Sequence, residues 1–120
     1  MTARRLQHVS VPCQPAELEA VVAFYADAIG LQPIPALAGV RWFELENGDH
    51  VHVLVGDGLA ATRAHFALEV SDLDATLARC RGLGCGPERE RPLWGAERWF
   101  VRDPAGNLIE LFAEGPSRRA

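Results

Sequence analysis

The sequence has no long uninterrupted apolar run, no cluster of basic residues and no CxxC cysteine pair. A transmembrane helix needs about 20 consecutive apolar residues, so no membrane span is expected. The N-terminus lacks the apolar core of a signal peptide, which points to a cytoplasmic protein. Formal net charge is −4 and the basic residues are scattered, so nucleic acid is not an expected partner. Arg4, Arg5, Arg118 and Arg119 read as solvated tails. The three cysteines read as free thiols of a reducing compartment, Cys80 as small apolar filler in a helix, Cys13 and Cys85 as loop positions. None has a base beside it in sequence that would make it a nucleophile. Low-complexity sequence is absent too. What remains is 120 residues, 48% apolar and 23% charged, an ordinary composition for one domain or for two half-domains sharing a core.

What the sequence does have is an internal repeat. Arg41-Trp42-Phe43 recurs as Arg98-Trp99-Phe100, an offset of 57 (98 − 41), and His8 and His65 share that offset. Each Arg-Trp-Phe is followed by a glycine and a short apolar run carrying polar residues: Gly48-Asp49-His50-Val51-His52-Val53-Leu54, then Gly106-Asn107-Leu108-Ile109-Glu110-Leu111-Phe112. Aligning the glycines pairs His52 with Glu110 at an offset of 58 (110 − 52), one more than upstream. A period of this size signals a duplicated supersecondary unit.

The elements repeat with it. Leu6 to Val11 alternates as a strand ending at Pro12, with Leu6, His8 and Ser10 on one side. Ala16 to Ile29 has helical spacing, with Pro15 at its entry and Gly30 as its stop. Pro33 and Pro35 allow only a broken edge strand from Leu31 to Leu37. Val40 to Leu45 and His50 to Val55 are strands about an Asn47-Gly48 turn. Gly56-Asp57-Gly58 opens a connector reaching about Thr62. The second half then has a strand from Ala64 to Val70, and a helix N-capped by Ser71 with Asp74 in the capping-box place. That helix runs to Arg81 and is closed by Gly82 or Gly84. A polar irregular edge follows from Cys85 to Leu93, then strands Trp94 to Val101 and Leu108 to Phe112 about the turn Asp103-Pro104-Ala105-Gly106. The expected fold is α+β: two βαβββ modules, residues 1–57 and 63–120 with a connector at 58–62, forming curved mixed sheets around a cup.

One face of each sheet must be covered by helices, which takes Val9, Val11, Val51, Val53, Val55, Phe66, Leu68, Val70, Ile109 and Leu111. The opposite face carries His8, His52, His65 and Glu110. Imidazoles and a carboxylate suit zinc, nickel, iron, manganese or cobalt. A carboxylate within Leu108-Ile109-Glu110-Leu111-Phe112 needs a partner, and a metal or an arginine would serve. His50 shares a face with His52 and reads as a rim or supporting residue. Ser10 and Glu69 share the cup face and are candidates for substrate contact. Trp42 and Trp99 are candidates for the same role; one residue of each Arg-Trp pair must face the cup, and periodicity alone leaves open which.

Leu6-Gln7-His8-Val9, Phe24-Tyr25-Ala26-Asp27-Ala28-Ile29-Gly30-Leu31, Ala64-His65-Phe66-Ala67 and Val101-Arg102-Asp103-Pro104-Ala105-Gly106-Asn107-Leu108-Ile109-Glu110-Leu111 resemble the vicinal oxygen chelate superfamily. The resemblance extends from Leu6 to about Ala113. It implies paired βαβββ modules and metal ligands on the first and last strands of each module, which map to His8, His52, His65 and Glu110. It also implies a homodimer, since short members often build each site from two chains. Two functions are consistent with it. One is a metal-dependent lyase, isomerase, transferase or dioxygenase acting on a small oxygen-bearing substrate, with Glu110 as ligand and catalytic residue. The other is a non-catalytic toxin- or antibiotic-binding protein of bleomycin-resistance type. Glyoxalase I typically has a carboxylate where this chain has His52, and no basic set for glutathione is evident.

Overall fold

The computed structural model of the chain describes residues 5–56, 64–93 and 95–113. The expected connector at 58–62, Trp94, Arg4, Arg118 and Arg119 lie outside these residues. Alternating polar and apolar residues build two four-stranded sheets. The first holds β1 (His8–Cys13), β2 (Gln32–Ile34), β3 (Val40–Glu44) and β4 (His50–Val55), in the order β1-β4-β3-β2. The second holds β5 (His65–Glu69), β6 (Glu88–Leu93), β7 (Ala96–Arg102) and β8 (Leu108–Phe112), in the order β5-β8-β7-β6. In each sheet the first strand runs parallel to the last and the other pairings are antiparallel. The sequence repeat is therefore a repeat of topology, two βαβββ units. The sheets are separate, and β1 and β5 each form an edge. Gly48 and Gly106, paired by the repeat, both adopt the left-handed backbone (φ 90° and 92°) that their turns require.

Each module's helix sits between its first two strands. In the first, a 3-10 turn (Pro15–Glu17), α1 (Leu18–Ala23) and a π-helical turn (Phe24–Ala28) run on without a break. Glu17 closes the entry by accepting from the Gln14 backbone N–H at 2.7 Å. The π turn buries Phe24, Tyr25 and Ala28. In the second module α2 (Leu73–Gly82) is capped by Asp72, whose Oδ1 accepts from Ala75 N–H at 3.0 Å. Ser71 was the expected cap. The buried set Leu73, Thr76, Leu77 and Cys80 fixes the helix phase so that it starts at Leu73, and the cap moves one residue with it. Gly84 (φ 79°) ends α2, with Cys85 N–H bonded to Cys80 C=O and Gly84 N–H to Arg81 C=O, a Schellman closure.

Both modules share one core. Val11, Phe43, Val51 and Val53 of the first sheet join Leu68, Val101, Ile109 and Leu111 of the second, with Val21, Phe24, Tyr25 and Leu77 from the helical segments. All three cysteines are buried in it: Cys13 ends strand β1 instead of lying in a loop, and Cys85, in the loop between α2 and β6 as expected, is packed into the core. Burial raises the Cys80 thiol to about 11, the pKa of an inert packing group. Hydrogen bonds among the described residues that cross between modules include Tyr25 Oη–H to Asp103 Oδ2 (2.7 Å), Asn107 Nδ2 to Pro12 C=O (3.0 Å) and Arg79 Nε to Ala28 C=O (2.9 Å). Asp103 also accepts from the Ala105 and Asn107 backbone N–H groups, so the turn before β8 is locked to the first module by the same carboxylate.

Other segments depart from expectation for local reasons. β1 continues through Pro12 to Cys13, which an edge strand permits because Pro lacks only the N–H. Glu88–Leu93 is an edge strand with a register shift between Glu90 and Leu93, not an irregular segment. Arg5 is not a solvated tail; its Nη1 meets Asp49 Oδ1 at 2.7 Å. Among the described residues no helix is long and apolar enough to cross a membrane.

Candidate metal centre

Register decides which side chains share a face. On the first sheet Ser10 and Trp42 both lie opposite His52, so all three stand on one face, with His8 two residues before Ser10. His8 stacks on His52 (centroids 4.3 Å apart, planes 19°) and His52 stacks on Trp42 (4.6 Å, 15°). His8 Nδ1 meets the Gln7 carboxamide oxygen, which orients the ring through that nitrogen. His50, on the same face, lies between His52 and Glu44. Its Nδ1 lies 3.3 Å from His52 Nε2 and its Nε2 lies 3.2 Å from Glu44 Oε2. Burial, then the neighbouring His8 and His50, lower the His52 pKa below its usual value and favour the neutral ring.

On the second sheet Glu110 lies opposite Ala67 and Phe100, which places His65, Glu69, Arg98, Phe100 and Glu110 on one face. Glu110 is buried, and its Oε2 lies 3.4 Å from His65 Nε2. Its Oε1 accepts from Arg98 Nη1 at 2.8 Å. An arginine thus satisfies one oxygen of the carboxylate. Phe100 meets His65 edge-on, with centroids 4.9 Å apart. An open groove of about 670 Å³ runs past His65, Arg98, Phe100, Glu88 and Glu90. Ser10 and Glu69 are exposed on their respective faces.

The extra residue in the offset of 58 has a structural consequence. It changes the phase of the second Arg-Trp-Phe relative to its partner strand, and a shift of one flips every side chain. Trp42 faces the histidines while Arg41 and Phe43 face the other way; in the repeat Arg98 and Phe100 face the site and Trp99 faces the core side with Leu111. The structure therefore does not bring Trp99 to the face that holds His65 and Glu110. Its Nε1–H donates to Glu97 and Arg81 packs over its ring. Arg98, one half of an Arg-Trp pair that sequence could not resolve, takes its place.

The four expected ligands therefore form two pairs, His8 with His52 and His65 with Glu110. They do not form one cluster: among the described residues no three His, Cys, Asp or Glu side chains lie close enough to hold one ion. Each pair is on the sheet face opposite the shared core. The second pair fits a metal well. Two donors each about 2.1 Å from one ion in tetrahedral geometry lie about 3.4 Å apart, which matches the Nε2 to Oε2 separation of 3.4 Å. The donor chemistry of all four residues suits a borderline divalent ion.

Comparison with known proteins agrees with the fold. The glyoxalase-like domain family matches residues 10–112. No protein of curated function matches the chain in sequence. Among solved structures, a glyoxalase family protein from Bacillus anthracis is 27% identical with a TM-score of 0.80, covering 93% of this chain and 96% of its own. The oxidase ChaP-H2 is 26% identical (TM-score 0.76, 98% of both chains). The fosfomycin resistance protein FosX from Listeria monocytogenes is 22% identical in its complex with Mn(II) and sulfate (TM-score 0.77, 96% and 92% covered), and shares the fold. Fold, module repeat and sequence match together make this chain a member of the glyoxalase-like domain family of the vicinal oxygen chelate superfamily.

Proposed function

We propose that the protein is a divalent-metal-dependent enzyme that acts on a small oxygen-bearing substrate as a homodimer. The observation that carries this reading is the His65–Glu110 pair, spaced for one ion and set on the same kind of sheet face as His8 and His52. A bound divalent ion supplies Lewis acidity toward two substrate oxygens where negative charge develops. In this reading His8, His52, His65 and Glu110 hold the ion and Glu110 is a ligand first. Ser10 and Glu69 contact substrate from the exposed ends of the two faces. Trp42, stacked on His52, forms an apolar wall and restricts that ring's rotation.

The same geometry supports the homodimer. Each ligand pair lies away from the common core, and β1 and β5, which carry His8 and His65, are sheet edges able to meet another chain. Two chains related by a two-fold axis would bring His8 and His52 of one to His65 and Glu110 of the other.

Mixing two defective variants tests this. His8→Ala and Glu110→Ala each break one half of a site. If sites form across chains, a mixed dimer regains one intact site of two, so unfolding and refolding the pair together restores metal binding to about a quarter of the wild-type level (half the dimers are mixed). No recovery, with both variants folded and dimeric, refutes the cross-chain site. The stacked His8, His52 and Trp42 rings favour a second reading, a protein that binds a flat ligand without turnover. Quenching of tryptophan fluorescence by such a ligand, unchanged by a chelator, would establish that reading instead.

A further inference from the structure

We infer that Arg98 is a positioning residue that confines Glu110 to ligation through a single oxygen. The inference rests on the metal reading above and adds to it a residue the ligand set does not contain. The two Glu110 oxygens have different surroundings: Oε1 accepts from Arg98 Nη1 at 2.8 Å, and Oε2 faces His65 Nε2 at 3.4 Å. The guanidinium is itself held in place. Its Nε donates to the Arg91 carbonyl at 2.8 Å, and its centre lies 5.6 Å over the Phe100 ring. The register of β6 with β7 shifts between Glu90 and Leu93, so that carbonyl lies where the regular ladder is interrupted. Phe100 closes the set by meeting His65 edge-on.

Arg98, Phe100, His65 and Glu110 therefore form a closed circuit of contacts on one sheet face, which holds both ligands of this half-site. A carboxylate that commits one oxygen to a fixed, mostly buried cation has only the other to offer an ion. Two-oxygen ligation would break a charge-assisted bond that is stronger than a neutral one. One-oxygen ligation leaves a coordination place open for substrate. The first module lacks this device. The position matching Arg98 at the offset of 58 (98 − 40) is Val40, and Arg41 turns to the other face, where its nearest carboxylate is Glu19 at 3.7 Å.

The test uses Co(II), whose visible absorption weakens as its coordination number rises, in full-length wild type, Arg98→Met and Arg98→Lys. Arg98→Met is expected to bind Co(II) about 10- to 100-fold more weakly, the usual cost of removing a group that orients a ligand. Its band should also weaken as Glu110 takes up two-oxygen ligation. Arg98→Lys, which keeps one cationic donor but not the second hydrogen bond, should recover part of both. Circular dichroism identifies a variant that has failed to fold, and if Arg98→Met does so the lysine variant alone decides. A wild type that binds Co(II) beside folded variants with unchanged affinity and spectrum overturns the role of Arg98 alone. A wild type with no Co(II) band overturns the metal reading on which it rests.

Discussion

Replacing Tyr25 by Phe removes one oxygen from the core and tests whether the two modules are held together as one body. The hydroxyl donates to Asp103 Oδ2 at 2.7 Å in a buried place, across the module boundary. The ring keeps its edge contact with Phe24 (5.0 Å) and its contact with Phe43 (6.0 Å), so no cavity beyond one hydroxyl is made. Asn107 Nδ2 still donates to the same carboxylate oxygen at 2.8 Å, so Asp103 is not orphaned. A hydrogen bond to a charged acceptor is worth about 1.5–3 kcal/mol net, which puts the loss near 2 kcal/mol. Unfolding entropy of about 2.1 cal/mol/K per residue gives about 0.25 kcal/mol/K for a chain of this length, hence a Tm lower by about 8 °C. Melting should be followed by far-UV circular dichroism and by tryptophan fluorescence. A change under about 0.5 kcal/mol refutes the bond as a stabilising link. A coupling near zero between Tyr25→Phe and Asp103→Asn in a double-mutant cycle does the same.

Tyr25 is the sole tyrosine, so its titration can be read directly at 295 nm. Burial, then the Asp103 charge and hydrogen bond, raise its pKa well above the usual value near 10. The folded state thus resists deprotonation that the unfolded chain undergoes near pH 10; this stability is intact below that pH and is lost above it, and a tyrosinate band rising near pH 10 with the fold intact would contradict the account. His52 is held below the usual histidine value, so the unfolded chain takes up the proton more readily. The metal-free protein should lose stability as pH falls through about 6.5 toward the folded value, and His52→Gln should flatten that slope in denaturant melts at several pH values. Asp72→Ala should cost about 1 kcal/mol while Ser71→Ala costs little, and equal losses in denaturant melts would argue against Asp72 as the cap.

Alternation was enough to read most strands of both sheets, β6 excepted, because one face of each sheet meets the core and a period of two leaves no freedom over which residues go inside. It put His8, His52, His65 and Glu110 on the sheet faces away from the helices. The offset of 58 against 57 was visible too, and it was the signal that the second Arg-Trp-Phe turns over; followed through, it would have selected Arg98 and rejected Trp99. Other features depend on contacts remote in sequence. The bond from Tyr25 to Asp103 spans 78 residues, and nothing local to either marks the other. The buried places of Cys13 and Cys85 follow from how the modules pack, which periodicity within one module does not describe. The same holds for the separation of the two ligand pairs. A repeat says that four residues are equivalent, and only the packing of the halves says which of them meet within one chain.

The central claim is that these two pairs hold a metal ion. Its most direct test is the metal content of the wild type, His52→Ala and Glu110→Ala, each purified and then incubated with zinc, nickel, iron, manganese or cobalt. The account predicts about one ion per chain in the wild type and its loss in both folded variants. A wild type that retains no stoichiometric ion after every metal, or variants that bind as well as it does, would contradict the claim.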